Sequence, residues 1–220
     1  MTDVDTLVPG MNATHRVLDE RLSLAASARP DPGHPRDQYP AIDSFLASAS
    51  RHHAAVLDVV VNAARHRLPD GEERAREFVH RSKEFEIALA NVKAKLYGST
   101  YAIRRSWESI WADVRSEFDA TWALERKLVG ELAAHLHEDD PDWGERLYHA
   151  ELQAPTRPHP YVPHQGVRGK VARSVALRID RFWDATEGRM IPEPVRDHDW
   201  HDDGKVTQYL LADPHIDEEE

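Results

Sequence analysis

Cysteine is missing from this 220-residue chain. Its absence excludes disulfides, thiolate zinc sites, iron–sulfur clusters and cysteine nucleophiles. Long apolar runs are missing too. The most apolar stretch, residues 54–64, is interrupted by Asp58 and Asn62 and is too short to span a bilayer. The opening MTDVDTLVPG has neither a basic nor an apolar region, so no secretory signal is expected. Positive charge is in deficit, with Lys+Arg 28 against Asp+Glu 39 and a net charge of -11. That balance argues against nucleic acid and anionic membranes as partners. A cytoplasmic, soluble protein is the expectation. There is no G-x-S-x-G, no phosphate-binding loop, no H-E-x-x-H and no glycine-rich dinucleotide fingerprint, so an enzyme of those classes is not expected. Sustained period-two alternation is also absent, which leaves no strand signal.

What the chain does have is helical periodicity. Residues 1–40 read as an N-terminal arm, with a short helix near 12–27 and the proline-rich run ARPDPGHPRDQYP. The core is expected to begin at Pro40. A first long helix over about 41–67 carries Phe45, Ala49, Val56, Val59 and Ala63 on one face. Pro69-Asp70-Gly71 turns the chain, and Asp70 with Glu73 resembles a capping box. A second helix over about 71–97 carries Phe78, Ser82, Phe85, Leu89, Val92 and Leu96, and Gly98 ends it. A third, over about 101–137, holds Trp107, Trp111 and Trp122, with a break near its start; 142–152 adds a short helix. Residues 153–166 hold four prolines and read as an extended strap. A fourth helix over about 167–187 presents Val171, Val175, Ile179, Phe182 and Thr186. Residues 191–220 form an acidic tail. Four amphipathic helices with short connections imply an all-α, antiparallel four-helix bundle over 41–190.

Polar residues on the apolar faces are the chemical signal. On the third helix, Val114, Phe118, Leu128 and Leu132 form a stripe, and Thr121 and Glu125 fill its gaps within roughly 20° of its centre. A carboxylate there must be protonated, paired or bound to a cation. On the first long helix one of His52 and His53 faces inward, His52 being the better placed. Glu86 flanks the core face of the second. His80 and Glu84 share a face far from the apolar stripe and read as a surface pair. His135 lies on the core side near the rim. Arg178 stands at the interior edge of the last helix as a counter-ion for Glu125, while Asp180 and Asp184 lie off its apolar face. Of the 14 histidines, His15, His34, His159, His164, His198, His201 and His215 fall in segments that read as loops or tails. The inward set is His52, Glu86, Thr121 and Glu125. Two readings stand open: carboxylates and imidazole converging on a metal, or a buried network that fixes helix register.

His52 followed by Val56 and Val59, together with TWALERKLVGEL at 121–132, resembles the hemerythrin-like, HHE cation-binding family of four-helix bundles over about residues 41–187. The resemblance implies a non-haem metal site with oxygen- or redox-related binding or sensing. His52 stands as the first-helix ligand and Glu125 as the glutamate of an H-x-x-x-E. Thr121 occupies the place of its histidine, so the implied site is carboxylate-richer: metal ligands His52, Glu86 and Glu125, holding one or two iron ions or manganese. The alternative is a metal-free bundle acting as an interaction or structural module through its proline-rich or acidic segments. A homodimer would cover any tryptophan surface that one bundle leaves exposed.

Overall fold

The computed structural model describes residues 7–28, 39–98, 104–137, 140, 142–160, 177–180, 184 and 191–195. All regular structure among them is helical: α1 (Leu7–Ser27), α2 (Tyr39–Val56), a π-helical segment (Leu57–Val61), α3 (Asn62–Arg67), α4 (Gly71–Leu96), α5 (Trp107–Ala133) and α6 (Trp143–Leu152). α1 packs on α2 and α5, α4 packs on α5 and α3, and α6 packs on α2.

The short helix expected near 12–27 starts at Leu7 and belongs to the core. Leu7, Met11, Leu18, Leu22 and Ala25 are buried at helical spacing, so the packed structure begins well before Pro40. Polar residues between these positions had disguised the stripe. α4 follows its expected face, with Phe78, Ser82, Phe85, Leu89, Val92 and Leu96 all buried. α5 is shorter than the expected 101–137. Ser106 starts it, its hydroxyl accepting from the Ser109 N–H at 3.1 Å, which satisfies one of the orphan donors of the first turn. Asp142 does the same for α6 through the Glu145 N–H at 3.0 Å.

Two expectations about the turn before α4 change. Asp70 makes no side-chain cap and instead adopts a left-handed conformation, φ 55°. Gly71 is required for a different reason. A β-carbon there would sit 2.5 Å from the carbonyl oxygens of Ala64 and Arg65, so the start of α4 lies directly on the end of α3. Gly98 ends α4 with φ 79°, as expected of a glycine past a helix terminus.

The π-helical segment corrects the face assigned to the first long helix. A π turn holds one residue more than an α turn. Beyond it the buried stripe moves from the expected Ala63 to Ala64, which is fully buried, and Ala63 is only partly covered. Val59, Val60 and Val61 are all buried around the segment.

Residues 153–160 are non-helical, as expected of the strap, but run through turns and bends rather than one extended segment; all but Gln153 and His159 are buried, and residues 161–166 lie outside the described residues. Most of the helix expected over 167–187 lies outside the described residues. Residues 177–180 and 184 are helical, and here the expected face is inverted: Ile179 is 48 % exposed, whereas Asp180 and Asp184 are buried. The strap explains the inversion. Asp180 Oδ2 accepts from the backbone N–H groups of Thr156 (3.0 Å) and Arg157 (3.1 Å) and lies 3.1 Å from His159 Nε2. Asp184 accepts from the Thr156 hydroxyl and, at 3.1 Å, from the Arg157 guanidinium. The tail beyond 195 lies outside the described residues. Within 191–195, the Pro192 carbonyl accepts from the Arg51 guanidinium on α2 at 2.9 Å. No helix among the described residues is long and apolar enough to cross a membrane.

The apolar core is divided in two. One cluster gathers Leu7, Met11, Ala55, Val56, Leu57, Val59, Val60, Val61, Phe78, Leu128, Leu132, Trp143 and Leu147. The other gathers Leu18, Leu22, Phe45, Ala49, Phe85, Leu89, Val114 and Phe118, with Trp111 buried in it and Trp107 and Trp122 packed partly against it. On each long helix the passage from one cluster to the other is marked by polar residues.

Candidate metal centre

Those polar residues mark one level of the core, and His15, His52, His53 and Glu125 meet there. Between Met11 and Leu18 on α1 stand Thr14 and His15. Between Ala49 and Ala55 on α2 stand His52 and His53. Between Phe118 and Leu128 on α5 stand Thr121 and Glu125. Ser82, just short of Phe85, and Glu86, just past it, mark the same level on α4. All are buried.

Glu125 is the hub. Its Oε2 lies 2.6 Å from His15 Nε2 and 3.5 Å from His52 Nε2, and its Oε1 lies 3.8 Å from His53 Nδ1. His52 Nε2 is also 3.2 Å from His15 Nε2. The other ring nitrogen of His52, Nδ1, is 2.7 Å from Glu151 Oε1 on α6. One nitrogen of His15, one of His52 and one oxygen of Glu125 lie within 4.8 Å of one another. This buried group could hold a metal ion.

The electrostatics follow from burial and pairing. Burial alone would push the Glu125 carboxyl up. The hydrogen bond with His15 and the nearby His52 and His53 rings overcome it and hold the group well below the ordinary carboxylate range. Burial disfavours a charged His52, but its two carboxylate partners, Glu125 and Glu151, outweigh that and raise it to about 10. For His15 burial wins, and its pKa falls despite the bond to Glu125. The layer therefore carries a carboxylate and at least one imidazolium that compensate each other, as buried charges must.

A small cavity of about 10 Å³ opens beside this group, lined among others by His53, Phe85, Phe118, Thr121 and Trp122. That is about the room one water needs. Neither ring nitrogen of His53 nor the Thr121 hydroxyl meets a hydrogen-bond partner among the described residues. His53 is held by rings instead, stacked on Phe78 at 5.9 Å and edge-on to Phe85 at 5.5 Å.

Of the ligands read from the sequence, His52 and Glu125 come together as expected. Glu86 is buried on α4 but is outside the group of three whose donor atoms converge. Burial raises its pKa, an effect that the neighbouring His53 and His159 partly offset. Both His52 and His53 face inward, rather than one. Arg178 is exposed. The counter-charges of Glu125 are histidines. His135 is exposed, its Nδ1 on the Glu131 carbonyl at 2.9 Å, because α5 ends at Ala133. His80 and Glu84 form the expected exposed pair at 3.8 Å.

His15 and Glu151 escaped the sequence reading, though each carries the signal that revealed Glu125. His15 occupies the stripe Met11, His15, Leu18, Leu22. Glu151 continues Trp143 and Leu147 at four-residue spacing. The fold and site thus define an all-α protein with a buried histidine–carboxylate group able to hold a metal ion. No protein-family model, no curated protein and no solved structure matches the chain.

Proposed function

We propose that this chain is a hemerythrin-like four-helix bundle, built from α1, α2–α3, α4 and α5, that binds a non-haem iron or manganese ion. The observation that carries the proposal is the convergence of His15, His52 and Glu125 donor atoms within 4.8 Å inside the core. His15, His52 and Glu125 would hold the ion. Two imidazoles and one carboxylate suit iron(II) and manganese(II), and the same trio recurs in open non-haem iron sites. Beside the cavity, the ring nitrogens of His53 and the Thr121 hydroxyl meet no hydrogen-bond partner among the described residues, which adds polar groups to the site. A bound iron or manganese would supply one-electron redox chemistry and an open position for small oxygen species. The chain's own residues exclude bulk water, orient the donors and balance the charge. The role is binding or sensing rather than turnover.

A second reading is favoured by the hydrogen bonds themselves. At 2.6 Å for His15–Glu125 and 2.7 Å for His52–Glu151, the network is self-compensating and could serve only to fix helix register in a metal-free structural or interaction module. One experiment separates the two. Metal content is measured on protein purified without chelator, and iron(II) and manganese(II) are titrated anaerobically into wild type and Glu125→Gln. Cation binding predicts about one ion per chain in wild type, lost in a variant that keeps its helical circular dichroism. No stoichiometric metal in wild type would leave the structural network.

A further inference from the structure

We infer that Glu151 is a positioning residue that holds the His52 ring so that its Nε2 faces the cation position; this rests on the cation-binding reading above. The two ring nitrogens of His52 have separate surroundings. Nδ1 is 2.7 Å from Glu151 Oε1, and Nε2 is 3.2 Å from His15 Nε2 and 3.5 Å from Glu125 Oε2. An ionised carboxylate only accepts, so Nδ1 carries the hydrogen that joins it to Glu151. When His52 serves as a neutral ligand, that choice leaves the Nε2 lone pair pointing at His15 and Glu125. A carboxylate behind a ligating histidine fixes ring orientation and raises ligand basicity in this way.

The placement of Glu151 argues for a dedicated role. Trp143, Leu147 and Glu151 lie one above another on α6, and the first two enter the apolar cluster beside the layer. The third position of that stripe is one an apolar residue would fill, yet it holds a carboxylate only 4 % exposed. Asp142 caps the start of α6, so the helix is fixed at one end by its cap and delivers the carboxylate from the other. On its far side Glu151 borders a second small cavity lined by Thr14, Arg21, Ser48 and Arg51. The Arg21 guanidinium in that cavity is engaged elsewhere, donating to the Ser48 hydroxyl.

The test uses the full chain and two substitutions. Glu151→Leu completes the apolar stripe and removes the acceptor. Glu151→Gln keeps an oxygen that can accept from Nδ1. Manganese(II) affinity is measured by competition, the cobalt(II) ligand-field spectrum is recorded, and folding stability of the metal-free protein is followed by urea denaturation. Positioning predicts that Glu151→Leu loses affinity by about 10–100-fold with an altered cobalt spectrum, and that Glu151→Gln recovers most of both. A merely structural carboxylate would change the denaturation midpoint and leave affinity and spectrum unmoved, which would overturn the inference. If wild type itself binds neither manganese nor cobalt, the cation-binding reading fails first, and this inference falls with it. If wild type and Glu151→Leu bind alike, only the role of Glu151 is refuted.

Discussion

At Asp140 two parallel hydrogen bonds come from one guanidinium. Arg67 Nη1 and Nη2 each donate at 2.6 Å, and the His137 N–H adds a third bond at 2.9 Å. The Arg67 hydrogen bonds hold the carboxyl down at about 2, against an ordinary 3.8. A folded pKa below the unfolded one gives stability that is present above the unfolded pKa and is lost as pH falls through the folded value. The contribution of Asp140 is therefore complete at neutral pH and disappears between about 3.8 and about 2. Asp140→Asn should narrow its stability gap to wild type across that window in acid denaturation curves. A gap constant from neutral pH down to about 2 would mean that the charge contributes nothing. The layer residues were readable to different degrees for a physical reason. Glu125 stood out because apolar residues surround it in the sequence for a full two turns. His15 has Thr14 and Arg16 beside it, and periodicity there is visible only when residues 11–22 are taken as one helix. The partner choice of Glu125 was not readable at all, since it depends on how α1 is placed against α5.

At the scale of elements, helix existence followed from the 3.6-residue repeat, and the ends followed less well. The close approach of α4 to α3 makes Gly71 a sensitive position. Gly71→Ala forces a methyl against two carbonyl oxygens at 2.5 Å. We expect a loss of about 1–3 kcal/mol, in line with other overpacked sites, read as a lower urea midpoint with an unchanged slope. Retained stability would mean that the α3–α4 corner opens freely. The inverted face at 177–184 has a different origin. Periodicity ranks positions by hydropathy and assumes that the surface covering a helix is apolar. The strap covers this one with backbone N–H groups, a hydroxyl and a guanidinium, so acids face in and Ile179 faces out. Nothing in residues 167–187 by themselves reports what lies across from them.

At the scale of the whole molecule, the strap and the two aspartates form a long-range tie between the segment after α6 and the last described helical turn. Its centre is Arg157, 8 % exposed, facing Asp184 at 3.1 Å and Asp180 at 4.0 Å. Breaking a buried ion pair from one side typically costs about 3–5 kcal/mol because the remaining charge is left under-compensated. Arg157→Ala should lower global stability by that order and speed proteolytic cleavage within 153–160. A loss below about 1 kcal/mol would mean that the backbone donors of Thr156 and Arg157 suffice to hold the carboxylates.

The π-helical segment at Leu57–Val61 bears on how this chain tolerates a change of length. An added residue inside a regular helix rotates everything on one side of it by about 100°. Placed before His52, it would swing both histidines out of the layer. Placed one turn after them, as here, it falls among Val59, Val60 and Val61, any of which can fill an apolar gap, and by Asn62 the helix has resumed. The extra residue is absorbed where neighbours are interchangeable, and the phase of the two histidines is untouched.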